Sequence, residues 1–191
     1  MLNGNERSIR IVQTWYRRAT TSSSLEGSYN DFDRFISLWI SFNCYFVAEC
    51  YREVEKIPSE NNDENGPSEW QYVKYLFNSE KYQKYYSELL IDYNFSQKID
   101  NILDLLLTET KFKGRIANMQ PGKSNKKDAA AKFTEKENFK QFLTSLYQVR
   151  CNLFHGNKDP GDKDSDAPIV KAYYDALMLF CKKIYETEGY L

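Results

Sequence analysis

The sequence predicts an all-α protein: an antiparallel helical bundle with a four- to five-helix core plus short extra helices. Three observations lead there. Apolar residues recur at three- and four-residue spacing along several long segments. The five Pro and eight Gly are few and fall between those segments. Aromatics reach 16% of the chain, yet no alternating run reads convincingly as a strand. The length of 191 residues suits one domain over 1–191, large enough to fold without metal or disulfide.

The elements follow in order. Glu6 to Thr20 carries Ile9, Val12, Trp15 and Tyr16 at helical spacing, with Asn5 as the N-cap. Asp31 to Glu55 is apolar on more than one stripe, which predicts a central helix touched from several directions and capped by Asn30 or Asp31. Asn43 interrupts that run, and a buried amide must find partners or cost roughly 1–3 kcal/mol. Residues 57–68 form an acidic surface loop. Pro67 and Ser68 then open a short helix through Trp70, Val73, Leu76 and Phe77. Glu80–Ile91 and Phe95–Thr108 read as two further helices.

Residues 111–135 read as a mobile basic loop. Between Lys111 and Lys140 nine basic residues face three acids. That excess, centred on Lys123, Lys126 and Lys127, suits salt-dependent phosphate contacts; a merely solvated loop is the alternative. Thr134 is placed to cap the next helix, with Glu137 completing a capping box. Phe139, Phe142, Leu143, Leu146, Val149 and Leu153 form its apolar stripe, and Gly156 ends it. Asp166 caps the last helix, whose first turn tolerates Pro168.

Composition excludes several classes. With 26 basic and 27 acidic residues the net charge is -1, so the chain is not globally basic. A mean hydropathy of -0.69 and the lack of a long apolar run predict no membrane span. The opening MLNGNERSIR has no apolar signal core, and Cys44, Cys50, Cys151 and Cys181 lack metal or disulfide spacing. A cytoplasmic protein with free thiols and no metal or other cofactor is the expectation. Two motifs fail on context. Ala117–Ser124 loosely matches a phosphate loop but lacks a buried strand before it. Asp162, Asp164 and Asp166 resemble the start of a calcium loop, but Ala167 replaces its turn glycine.

The strongest chemical candidate is VRCNLFHGNK. His155 is the sole histidine, so acid–base work near neutral pH falls to it first. On a helical wheel Arg150 falls within roughly 40° of the centre of the apolar stripe. An arginine there must snorkel, pair with a buried acid or amide, or line a cleft. His155 lies about 140° away on a regular helix, so an unwound last turn or a second subunit is needed to bring the two together. A structural ion pair for Arg150 and a helix-end cap for His155 remain open as alternatives.

YQVRCNLFHGNKDPGD resembles the signature region of the HEPN superfamily, Arg followed after four to six residues by His. RFISLWISFNCYF resembles the core helix of many uncharacterised HEPN-like proteins. The resemblance implies a HEPN-type bundle, a homodimer and a cleft shared by two Arg/His motifs. It further implies metal-independent endoribonuclease activity in a defence, stress or toxin–antitoxin setting, with an antitoxin or other protein regulator. Arg150 would bind the scissile phosphate. His155 would act as acid or base in attack by the ribose 2′-hydroxyl. Asn152, between them, would position either group or the substrate, with Asn43 in a supporting role. Non-catalytic members that bind RNA, nucleotide or protein supply the alternative. Cys151 stands where many members carry Asn or Asp. Asn157 stands where members silenced by a nucleotidyltransferase-like antitoxin carry Tyr.

Overall fold

The computed structural model describes residues 4–21, 28–54, 67–109, 114–116, 131–154 and 167–191, without the side chains of 4, 5, 28–30 and 115. Seven helices are found among them: α1 (Gly4–Thr21), α2 (Ser28–Val54), α3 (Glu69–Asn78), α4 (Glu80–Ile91), α5 (Tyr93–Thr108), α6 (Phe139–Phe154) and α7 (Ala167–Glu188). The fold is all-α. None of these helices is long and apolar enough to cross a membrane.

Cross-helix bonds give the directions. Ser41 donates to the Val12 carbonyl at 2.9 Å, and Arg34 to that of Ala19 at 3.0 Å, so α1 and α2 run antiparallel. Tyr174 also donates to the Ala19 carbonyl, so a cation and a phenol serve the carbonyl end of α1. α6 runs antiparallel to α7, with Phe139 against Phe180 and Tyr173 donating to Ser145 at 2.7 Å. α3 runs antiparallel to α6, since Trp70 meets Tyr147 while Lys140 sits over Phe77.

α7 packs against α2, α4 and α5, meets α6 through Phe180 on Phe139, and buries residues around much of its circumference. α2 is touched from several directions, as its apolar pattern predicts, by α1, α3 and α7. α2 also keeps an outward strip, where Ile36, Ile40 and Asn43 are half-buried and Val47 and Tyr51 exposed. Asn43 is therefore within reach of water and needs no internal partner.

Single-residue breaks separate α3, α4 and α5. Ser79 and Asp92 are extended, and the Asp92 carboxylate accepts from the Phe95 amide at 3.0 Å. The capping expected of Thr134 and Glu137 is not formed. Asn138 caps α6 by accepting from the Gln141 amide at 3.0 Å, while the Thr134 amide donates to the Gln141 side chain. The turn before Asn138 lets fully buried Phe133 enter the core and is held by Tyr86 donating to the Lys136 carbonyl.

The expectation of no strand is also corrected. Two short strands, β1 (Arg115–Ile116) and β2 (Ala131–Lys132), pair antiparallel. Gly114 opens β1 at φ 73°, a conformation costly for a residue with a Cβ, and its amide donates to the Leu106 carbonyl at 2.7 Å. The two ends of the basic stretch are thus pinned by buried Ile116, Ala131 and Phe133. Its centre, including Lys123, Lys126 and Lys127, lies outside the described residues. So do the 57–66 part of the acidic loop, the phosphate-loop lookalike, Asp162, Asp164 and the Asp166 cap.

The C-terminus is tied down by Glu188, which pairs with Lys81 at 2.7 Å and accepts from Tyr85 at 2.5 Å. Burial pushes its carboxyl pKa up, but the Lys81 and Tyr85 hydrogen bonds outweigh this and hold it below the ordinary value. A lowered carboxyl pKa adds stability above the unfolded-state pKa, and that stability is lost as pH falls through the folded one. Glu188→Gln therefore lowers the melting temperature at pH 7. The gap from wild type closes as pH drops through the carboxylate range; a gap independent of pH in paired melts would contradict the assignment.

Candidate functional site

The site is built where α3, α2 and α6 meet. A capping box starts α3: the Gln71 amide donates to Ser68 Oγ at 3.4 Å, and the Ser68 amide to Gln71 Oε1 at 2.6 Å. This fixes Glu69 as the first helical residue, where the positive helix end favours a carboxylate. From α2 the buried Trp39 indole donates to Glu69 Oε1 at 2.9 Å. From α6 Arg150 Nη2 meets Glu69 Oε2 at 2.8 Å.

Arg150 is the misfit on the apolar stripe, and its guanidinium is half-buried, with 20% of the side chain exposed. Its Cζ lies over the Phe154 ring, 4.4 Å from the centroid, and 5.9 Å from the centroid of Tyr147. Phe154 is 46% exposed, so this cation–ring edge borders solvent. Among the described residues Nη1 meets only the Cys151 sulfur at 3.9 Å, and Nε is buried with no hydrogen-bond partner. The carboxylate thus neutralises the cation and occupies one nitrogen. The contact at Nη1 is weak, so an incoming phosphate oxygen there would displace a sulfur and leave the carboxylate in place.

Burial pushes the Cys151 thiol pKa up, offset in part by a hydrogen bond from Tyr147 and by the Arg150 charge. The thiol is therefore no ready nucleophile, and the main cause is desolvation.

The structure does not bring every predicted residue here. Asn152 is buried on another side of α6, where its Oδ1 accepts from Gln148 at 2.9 Å. Two residues along a helix is a turn of about 200°, so Asn152 and Arg150 point apart. Asn43 stands one turn beyond Trp39 on α2. His155, Gly156 and Asn157 lie outside the described residues; His155 follows Phe154 directly in the chain. A surface cleft of about 440 Å³ opens at the opposite end of the α3–α6 pair, between Phe77, Gln83, Glu135 and Lys140, and holds none of the predicted residues.

Sequence reasoning missed Glu69, Trp39, Tyr147 and Phe154. The available signal was an acid directly after the capping Ser68, the helix position where a carboxylate is most stable. Nothing local pairs it with Arg150. Comparison of the chain with protein-family models, with curated proteins and with solved structures finds no match.

Proposed function

We propose that this chain is a HEPN-like, metal-independent endoribonuclease, working as a homodimer in a defence, stress or toxin–antitoxin context. The observation that carries the reading is Arg150: a guanidinium clamped by Glu69, lying over a solvent-edge aromatic, with one nitrogen held, among the described residues, only by a sulfur. The sole histidine lies five residues on. Arg150 holds the scissile phosphate and stabilises its growing negative charge. His155 exchanges the proton as the ribose 2′-hydroxyl attacks, leaving a 2′,3′-cyclic phosphate and a 5′-hydroxyl. Glu69, anchored by Trp39, positions the guanidinium. Lys123, Lys126 and Lys127 add contacts along the backbone of the RNA.

Purified protein is incubated with RNA in EDTA beside His155→Ala. Wild type cuts and the variant does not; if neither cuts, or both cut equally, the nuclease reading is lost.

The Arg150–Glu69 pair itself favours a second reading, a non-catalytic module that binds RNA, nucleotide or a protein. There Arg150 braces α3 against α6, and His155→Ala costs about 1 kcal/mol as a lost helix cap while binding stays intact.

A further inference from the structure

We propose that the outward face of α1 is a second RNA contact, an arginine row that grips the phosphate backbone away from Arg150. α1 holds Arg7, Arg10, Arg17 and Arg18, half of the eight arginines in the chain, and none of its eighteen lysines. All four are exposed. On the helical wheel Arg7, Arg10, Thr14, Arg17 and Thr21 fall within about 80° of one another. From Arg7 to Arg17 the row spans about 15 Å at the helical rise.

The helix cannot rotate to hide this face. Val12 and Ala19 are fully buried on the other side, Tyr16 packs edge-on against Tyr185, and the Val12 and Ala19 carbonyls are bonded to α2. Arg18 is partly engaged by Asp33 at 3.1 Å and lies over Trp15. Arg7, Arg10 and Arg17 form no side-chain ion pair among the described residues, and Glu6 is the only acid in the helix.

A face selected only for solubility would draw on lysine, as the rest of this surface does. Arginine is the weakly hydrated, planar fork that holds phosphate by two parallel hydrogen bonds. Membrane-surface helices pair basic residues with an apolar face sunk into lipid. Here the apolar face of α1 is spent on the core, and none of the exposed large apolar side chains belongs to α1. A flexible polyphosphate strand is the partner that fits. Naming it RNA rests on the function proposed above; the arginine surface does not depend on cleavage.

The test uses the full chain and its triple variant Arg7→Gln/Arg10→Gln/Arg17→Gln. A fluorescent single-stranded RNA with 2′-O-methyl riboses, which cannot be cut by its own hydroxyls, is titrated across a range of salt. Wild type binds at least about tenfold tighter at low salt, and the variant flattens the slope of log affinity against log salt by about 2. On natural RNA the variant cuts at the same positions as wild type. An unchanged slope and affinity in a variant with wild-type melting overturns the proposal. So does a variant that loses only binding to vesicles of anionic lipid. Loss of slope alongside a wild type that never cuts upholds the arginine row and sinks the nuclease reading, so the two failures are told apart.

Discussion

Glu69→Ala lowers stability by about 3 kcal/mol, and adding Arg150→Met restores much of the loss. The carboxylate is the acceptor for two donors that have little else, the Arg150 guanidinium and the buried Trp39 indole. Truncating it strands a half-buried cation and a buried N–H, each costing on the order of 1–3 kcal/mol. Removing the cation as well cancels the first penalty, because an apolar side chain suits the stripe formed by Leu146, Val149 and Leu153. The indole N–H stays unpaired, so recovery is incomplete. Denaturant melts of the wild type, both single variants and the double variant measure this coupling. Additive losses would mean that the pair seen at 2.8 Å contributes nothing. Under the proposed function, activity separates two roles of Arg150: the double variant regains stability and does not cut RNA.

Phe142→Ala costs about 4 kcal/mol, the range for an aromatic truncated in a packed core. Phe142 is fully buried. Its ring stacks on Tyr86 at 5.2 Å and Tyr173 at 6.3 Å and meets Phe180 edge-on at 6.4 Å. These neighbours come from α4 and α7, so the cavity opens where three helices join and cannot close by moving one side chain. A domain stable by about 5–15 kcal/mol loses much of its margin. Phe154→Ala is the contrast: that ring is half in solvent, so stability changes little while Arg150 loses its stacking surface. A Phe142→Ala midpoint close to wild type in urea would show that the aromatic core is loosely packed.

The helices were legible because their faces are periodic. Phe139, Phe142, Leu143, Leu146 and Val149 mark the core side of α6 from sequence alone, and all five are buried, with Leu153 partly so. The paired strands were not legible. Ile116 and Phe133 are isolated apolar residues among charges, with no period, and their register depends on a turn at Gly114. Thr134 with Glu137 has the letters of a capping box, but the demand to bury Phe133 moved the helix start to Asn138. In the site, Arg150 could be found because a cation on an apolar stripe needs a reason. Glu69 could not, since its partner is distant in the chain and brought close only by α3 packing on α6. Asn152 is placed otherwise than its position in the sequence suggests. Its position between Arg150 and His155 in the sequence suggested a shared site, while helix geometry turns it away toward Gln148.

The proposed capture of an RNA phosphate by the Arg150 guanidinium is read from the affinity of the 2′-O-methyl RNA for Arg150→Ala against wild type. At one low salt concentration, with folding of the variant verified by its melt, the variant binds more weakly than wild type by about tenfold or more, as for one lost charge-assisted phosphate contact. Equal affinity for the two proteins would contradict it.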